Sequence, residues 1–349
     1  MPETGAVTAH ADRPLGWAPS VALLVGVAVA GAVAVRLAPE GSTVATFWPA
    51  AGLAIIALVL APRERWLPLM GGLLVAFFIA DQVGGRGVRL SLAHALVETL
   101  ATYAAAMVMT HLATRPPDLH DQEHFVRLLG AALLSAGHHQ AGASIGERTV
   151  TLDPMLASLA AAFTAHVAAV LLLVPLALVS ANRWAGGRLE LAVQMMLLSA
   201  SSVLTFVPGE SSALTFAPVL FLAWAALRFD MRVACGELAL FGIFVTSQTV
   251  SGGGPFGVAV TNDGISILGG AALAQGYLAC AALLVLPLGI AVQRNSMLLD
   301  RITADGKLFR RNFTESLVGM AFLEPDEFGH DLVIVDLNET ALGLSLIHI

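Results

Sequence analysis

Charge is what this 349-residue chain has least of. Lysine and arginine number 18 and aspartate and glutamate 25, together 12% of residues, where an ordinary soluble domain carries about 25%. Hydrophobic residues make up 57% and the mean hydropathy is +0.79. A water-soluble globule of that composition would expose large apolar patches, and a disordered chain needs the opposite balance. Cysteine is also scarce. The two present, Cys235 and Cys280, both lie inside apolar runs, which excludes a disulfide-rich secreted scaffold and reads as two buried small hydrophobes. No basic patch exists for a nucleic acid to bind.

Long apolar runs are what the chain has instead. Ten of them can be drawn: 15–37, 46–61, 67–80, 90–112, 125–145, 156–179, 191–207, 213–227, 233–250 and 267–292. At roughly 20 residues per span this is an all-α polytopic membrane bundle of about ten transmembrane helices. The second and third runs are short and meet at the tight turn Pro62–Trp66, so eight spans plus a re-entrant hairpin is the competing count. The first run reads as a signal anchor, with nine further runs behind it.

The composition breaks at residue 293. Of the first 293 residues 29 are charged, and of the last 56 residues 14 are, so the end of the chain has a soluble composition. Basic residues set the orientation. With ten spans and both termini in the cytoplasm, 14 Lys/Arg fall on the inner side. Four fall outside, Arg36, Arg86, Arg89 and Arg148. The expectation is a multi-pass membrane protein with both termini in the cytoplasm. It divides into a cytoplasmic tail (1–14), a membrane domain (15–293), a linker helix (294–312) and a C-terminal fragment (313–349). In the linker, Leu298, Ile302 and Phe309 are spaced 4 and 7 apart. That weak heptad seam supports either a dimer coil or a plain amphipathic connector, and the expected assembly is a homodimer through it.

Three segments, taken in order, carry a family resemblance: Phe47-Trp48-Pro49-Ala50-Ala51-Gly52-Leu53-Ala54, Trp224-Ala225-Ala226-Leu227-Arg228-Phe229 and Gly252-Gly253-Gly254-Pro255-Phe256-Gly257. Over residues 15–293 they resemble the bacterial integral membrane sensor domain of the MASE type, the first of its class. Two places depart from that pattern. Glu98 precedes Thr99 where the family tends to have asparagine. Phe163-Thr164-Ala165-His166 stands ahead of Pro175 where it tends to have a Trp-rich Gly-Asp segment.

The tail resembles the start of a PAS sensor module, through Phe313-Thr314-Glu315-Ser316-Leu317-Val318-Gly319-Met320-Ala321-Phe322 and Leu332-Val333-Ile334-Val335-Asp336-Leu337-Asn338-Glu339-Thr340-Ala341. It reads as a helix running into a strand, then a strand followed by a short helix, hence an α+β fragment. Such a module needs roughly a hundred residues, so a truncated reading frame is expected. The resemblance implies an output domain of the diguanylate cyclase, cyclic-di-GMP phosphodiesterase or histidine kinase kind. The chain itself holds no phospho-acceptor helix, GGDEF-type turn or phosphate-binding glycine loop followed by lysine, so it is expected not to be an enzyme.

Ionisable groups inside spans are costly and mark function by default. They are biased to the outward half, where a ligand pocket is expected from Trp48, Asp81, His94, Glu98, His138, Gln248, Phe256 and Gln275. His94 and Glu98 stand at i and i+4 and share a helix face. A structural hydrogen bond between helices and a ligand- or proton-sensing role are both open for them. His138 and His139 point about 100° apart, so a metal pair is disfavoured. Among His94, His138, His139 and His166 no His-x-x-x-His spacing occurs, and neither metal nor cofactor is expected. His166 is near mid-membrane and is read as pairing with a neighbouring helix. The Gly252–Gly257 segment is either a turn or a mobile gate with Phe256 as its plug. The inner half holds chiefly Gln194 and Glu237. The expected function is reception of a small-molecule or membrane signal. The rival is a secondary transporter with a midplane site around Glu98 and His94.

Overall fold

The computed structural model describes residues 15–38, 45–110, 118–119, 122–143, 152–179, 186–207, 214–262, 264–325 and 331–347, with side chains for all of these except 138–143, 152–155 and 345–347. The chain divides into two units, 1–293 and 294–349.

Each of the ten apolar runs is a helix. They are α1 (Trp17–Arg36), α2 (Pro49–Val59), α3 (Trp66–Gly84), α4 (Val88–Thr110), α5 (Gln122–Ala143), α6 (Leu152–Leu178), α7 (Arg188–Phe206), α8 (Ala217–Arg228), α9 (Met231–Val250) and α11 (Ile267–Thr314). An eleventh, α10 (Gly254–Asn262), stands where the sequence suggested a loop. Among the described residues seven stretches are long and apolar enough to cross a membrane: Trp17–Arg36, Arg63–Gly84, Val88–Thr110, Leu156–Leu178, Arg188–Phe206, Met231–Asn262 and Ile267–Thr314. The short runs need revision. α3 is a full span together with the 3-10 turn before it, while α2 is short, as is α8. At 11 residues α2 covers about 17 Å, and the 12-residue α8 about 18 Å, against a hydrocarbon core of about 30 Å.

The outer faces of the long helices are apolar. Val21, Val25, Val29 and Val33 repeat every fourth residue along α1, each more than half exposed, as a lipid-facing stripe would be. α2 is the opposite case. Nine of its 11 residues are buried, and it is enclosed by α1, α3, α4 and α6. Small residues permit this. A Cβ at Gly31 of α1 would come within 2.8 Å of Ala80 of α3, and one at Gly52 of α2 within 2.8 Å of the Ala169 carbonyl oxygen of α6. Cys235 is buried, but Cys280 is exposed, a correction that follows from the outward-facing side of α11.

Hydrogen bonds between termini fix which helix ends lie together. Arg65 Nη1 donates to Leu15 O (2.9 Å), Arg63 Nη2 to Thr110 O (3.0 Å) and Arg232 Nε to Val179 O (3.2 Å); Leu119 N donates to Leu178 O (3.3 Å). The starts of α1, α3 and α9 and the ends of α4 and α6 therefore share one end, the basic end. Asp81, at the far end of α3, marks the opposite one.

Three helices of the first half recur in the second. α1, α2 and α3 have 20, 11 and 19 residues; α7, α8 and α9 have 19, 12 and 20. Both short helices begin on Thr-Phe-x-Pro, at Thr46–Pro49 and Thr215–Pro218, with the proline in the first turn. α3 ends at the left-handed Gly85 (φ 96°) and α9 is followed by the left-handed Gly252 (φ 79°). In each turn the next amide donates to a carbonyl five residues back, Arg86 to Asp81 (2.9 Å) and Gly253 to Gln248 (2.8 Å), the close of a helix that favours glycine.

In the second unit β1 (Ala321–Pro325) pairs antiparallel with β2 (Leu332–Leu337), with an irregularity between Phe322 and Leu323. Asn338 caps the short α12 (Glu339–Ile347): its Oδ1 accepts from Ala341 N and Met320 N, both 2.9 Å, and its Nδ2 donates to Val318 O at 2.8 Å. Asn338→Ala is expected to cost about 0.5–2 kcal/mol locally, read as faster amide exchange across α12.

Candidate functional site

The conspicuous feature of the first unit is a string of ionisable side chains buried at the Asp81 end. It begins where Gly85 reverses the backbone. Arg86 folds back on the last turn of α3, its Nη1 donating to Asp81 Oδ1 at 2.8 Å. Gln82 Nε2 ties the turn to the start of α4, donating to Arg86 O (3.2 Å) and Ser91 Oγ (2.7 Å). From α4, His94 Nδ1 lies 2.8 Å from Asp81 Oδ2, and His94 Nε2 lies 3.5 Å from Glu98 Oε1. From α6, His166 Nε2 lies 2.9 Å from the same Glu98 oxygen. Asp81 and Glu98 are fully buried and His166 is 2% exposed.

Proton positions follow from which atoms can only accept. His166 Nδ1 is 3.0 Å from the Ala162 carbonyl oxygen, which has no proton to give, so Nδ1 carries the hydrogen. Nε2 then meets Glu98 in one of two ways. An imidazolium donates to a carboxylate, or a carboxylic acid donates to a neutral ring. Either way the pair holds one proton between its two members. Asp81 Oδ1 accepts from Arg86 Nη1, and Asp81 Oδ2 lies 2.8 Å from His94 Nδ1, which is itself 3.4 Å from Arg86 Nη1. Arg86 is the counter-charge to Asp81, and each buried ionisable group of the string has an ionisable partner, the condition under which charges survive burial.

Trp48, at the start of α2, covers the string. Its ring meets His94 edge-on (5.2 Å between centroids), stacks on His166 (6.4 Å) and on Phe77 (6.5 Å), and lies 6.0 Å from the Arg86 guanidinium carbon. Its Nε1 is buried with no hydrogen-bond acceptor among the described residues. The ionisable groups pair link by link and do not converge: among the described residues no group of three or more His, Cys, Asp or Glu is placed to hold a metal ion.

Trp48, Asp81, His94 and Glu98 are therefore brought together, and Arg86 and His166 belong with them. The other candidates are placed elsewhere. Gln275 is buried on α11 and donates to Thr246 Oγ1 of α9 at 3.0 Å. Gln248 closes α9, its carbonyl accepting from Gly253 N. Phe256 is in α10, its ring 6.1 Å from Phe206 and 5.5 Å from Tyr277. The segment read as either a turn or a gate is a turn over Gly252–Gly253 and then a helix, and Phe256 is part of an aromatic cluster of α7, α9, α10 and α11. A Cβ at Gly257 would clash with Gly252 at 2.4 Å, which is why the turn and the helix can lie against each other. The His138 side chain lies outside the described residues. In the second unit Leu298 and Ile302 are exposed on α11, while Phe309 packs on Phe313 and Phe322 (6.5 and 5.4 Å).

A family model described as MASE1 matches residues 19–296, about four fifths of the chain. No curated protein and no solved structure matches it.

Proposed function

We propose, since this chain belongs to the MASE1 family of membrane-associated sensory domains, that its input is read by the buried string from Arg86 to His166. A signal arriving from outside or dissolved in the membrane would bias two arrangements of α3, α4 and α6. It must bind those arrangements unequally to do so. The observation carrying this reading is that α4 and α6 meet through two ionised or proton-sharing side chains inside a membrane bundle. Packing alone would be served more cheaply by apolar residues.

The finer reading joins the input to an output. α11 runs from the bundle into the linker and reaches Thr314. We take the tail as a PAS segment that relays the bias to a cytoplasmic module making or degrading cyclic-di-GMP, or to a histidine kinase, in a homodimer. Placing the Arg63, Arg65, Arg228 and Arg232 end in the cytoplasm of a bacterial plasma membrane satisfies the positive-inside rule and turns the Asp81 end outward.

The test uses the chain joined to its output module, with external pH steps as the first stimulus because the Glu98–His166 pair holds a proton. Couplings between sites of this kind are typically 5- to 150-fold. Wild-type output is expected to change within that range, and Glu98→Gln is expected to flatten the change to about twofold or less. A Glu98→Gln protein that responds like wild type sinks the reading. So does saturable solute uptake by the bundle in proteoliposomes, which would make it a carrier.

A further inference from the structure

We propose that Gln194 and Glu237 form a second site, near the basic end of the bundle, that takes one small positive charge: a proton or an alkali cation. Gln194 of α7 is fully buried and Glu237 of α9 is 6% exposed. Both amide hydrogens of Gln194 are committed, one to the Phe221 carbonyl of α8 (2.9 Å) and one to Glu237 Oε2 (2.8 Å). The Phe221 contact fixes which way the amide points, because a flipped amide would set two oxygens against each other. What remains is a pair of acceptors. Gln194 Oε1 and Glu237 Oε1 are both buried, and neither has a donor among the described residues.

A single positive charge satisfies both. If Glu237 Oε1 carries a proton, its O–H donates to Gln194 Oε1 while Oε2 continues to accept from Nε2, a closed acid–amide pair. If a sodium-sized ion takes the place of that proton, the same oxygens become two of the several oxygen ligands a hard cation requires, and water entering with the ion supplies the others. The exchange balances: the cation enters, the carboxyl O–H breaks and one proton leaves.

The surroundings supply an approach. Phe221, Trp224 and Arg228 follow one another at three and four residues on one face of α8. Glu190 stands one turn before Gln194 on α7. It accepts from Arg228 Nε (2.8 Å), Arg228 Nη2 (3.0 Å) and Trp224 Nε1 (3.2 Å). An ion pair whose arginine side chain is 49% exposed thus stands between the helix end and the buried amide. Of the other ionisable groups with described side chains on the elements around Glu237, Arg188 opens α7 and three more have partners of their own. Asp230 caps α9 through Arg232 N, Arg232 binds Val179 O, and His166 of α6 binds Glu98. Buried Cys235 is on α9 itself, and α10 has no ionisable residue.

The experiment is infrared difference spectroscopy on the whole chain in lipid nanodiscs, comparing wild type with Glu237→Gln. A protonated-carboxyl C=O band present in wild type and missing in the variant supports a proton at this site. Loss of that band on replacing choline chloride by sodium chloride at fixed pH supports the alkali cation. Release of about one proton per chain should accompany it. Gln194→Leu retains the carboxyl group and removes its partner, so the band is expected to shift, which keeps the test readable if Glu237→Gln fails to fold. Absence of a variant-sensitive carboxyl band across the pH range, together with identical behaviour in sodium and choline, overturns the proposal. Glu98 pairs with His166 and Glu237 with Gln194, two pairs that share no residue, so the Glu98→Gln experiment stands or falls separately.

Discussion

Replacing His166 by leucine is expected to destabilise the bundle by about 3–5 kcal/mol, the usual consequence of removing one partner from a buried pair. The cause is what is left behind. Glu98 is fully buried and would lose the partner that lies 2.9 Å from its Oε1. Its remaining histidine neighbour is 3.5 Å away. The double change His166→Leu with Glu98→Leu removes the orphaned carboxyl as well. It should recover most of the loss or exceed wild-type stability, as apolar replacements of buried pairs often do, while abolishing the response to the signal. Thermal unfolding of the three proteins in one detergent or nanodisc reads this directly. Equal losses for the single and double changes would show that α4 and α6 are held by something other than this pair. A stable double variant that still senses would remove the pair from the function.

Gly52→Val carries the second large effect, and its mechanism is steric. The new Cβ would lie 2.8 Å from the Ala169 carbonyl oxygen and 2.9 Å from Leu173 Cβ. The first is backbone and cannot rotate away. α2 must therefore retreat from α6. Overpacking of this kind typically costs 1–3 kcal/mol, and an enclosed 11-residue helix has few ways to relax, so the upper part of that range is expected. The retreat also displaces Trp48, which begins α2 and covers His94 and His166. Sensing should fail before folding does. Gly71→Val is the control, since a Cβ at Gly71 meets nothing within 4 Å; it should stay within about 0.5 kcal/mol of wild type. Comparable losses from the two would mean that the α2–α6 crossing is not tight.

Much of the membrane unit is legible from apolar runs because each span must satisfy its own backbone and present apolar residues to lipid. α10 escaped that reading. Gly252-Gly253-Gly254-Pro255 has the residues of a turn, yet Pro255 is also a good second residue for a helix, and only the packing of Gly257 on Gly252 decides between them. The site was half legible. His94 and Glu98 are four residues apart, so local geometry joins them. His166 is 68 residues from Glu98, and no local rule connects the two. A signal was nevertheless present: the two departures from the MASE pattern fall at Glu98 and at the segment ending in His166, and these are the residues that touch. Arg86 counts in the sequence only as an outward charge. Its role needs the left-handed Gly85, which turns it back on Asp81.

The recurrence of α1–α3 in α7–α9 gives the chain a reference state of its own. Position for position, the turn that carries Asp81 and Arg86 in one copy carries Gln248 and Gly253 in the other. A Cβ at Gly253, the counterpart of Arg86, would lie 3.2 Å from the Phe206 carbonyl oxygen. One copy has an ion pair under its turn; its twin has packed rings there. The pairing resembles a duplicated part whose copies have since diverged, one toward electrostatics and one toward shape. Transplanting the ion pair, by Gln248→Asp with Gly253→Arg, would show how much of the first copy's character resides in two residues and how much in the scaffold beneath them.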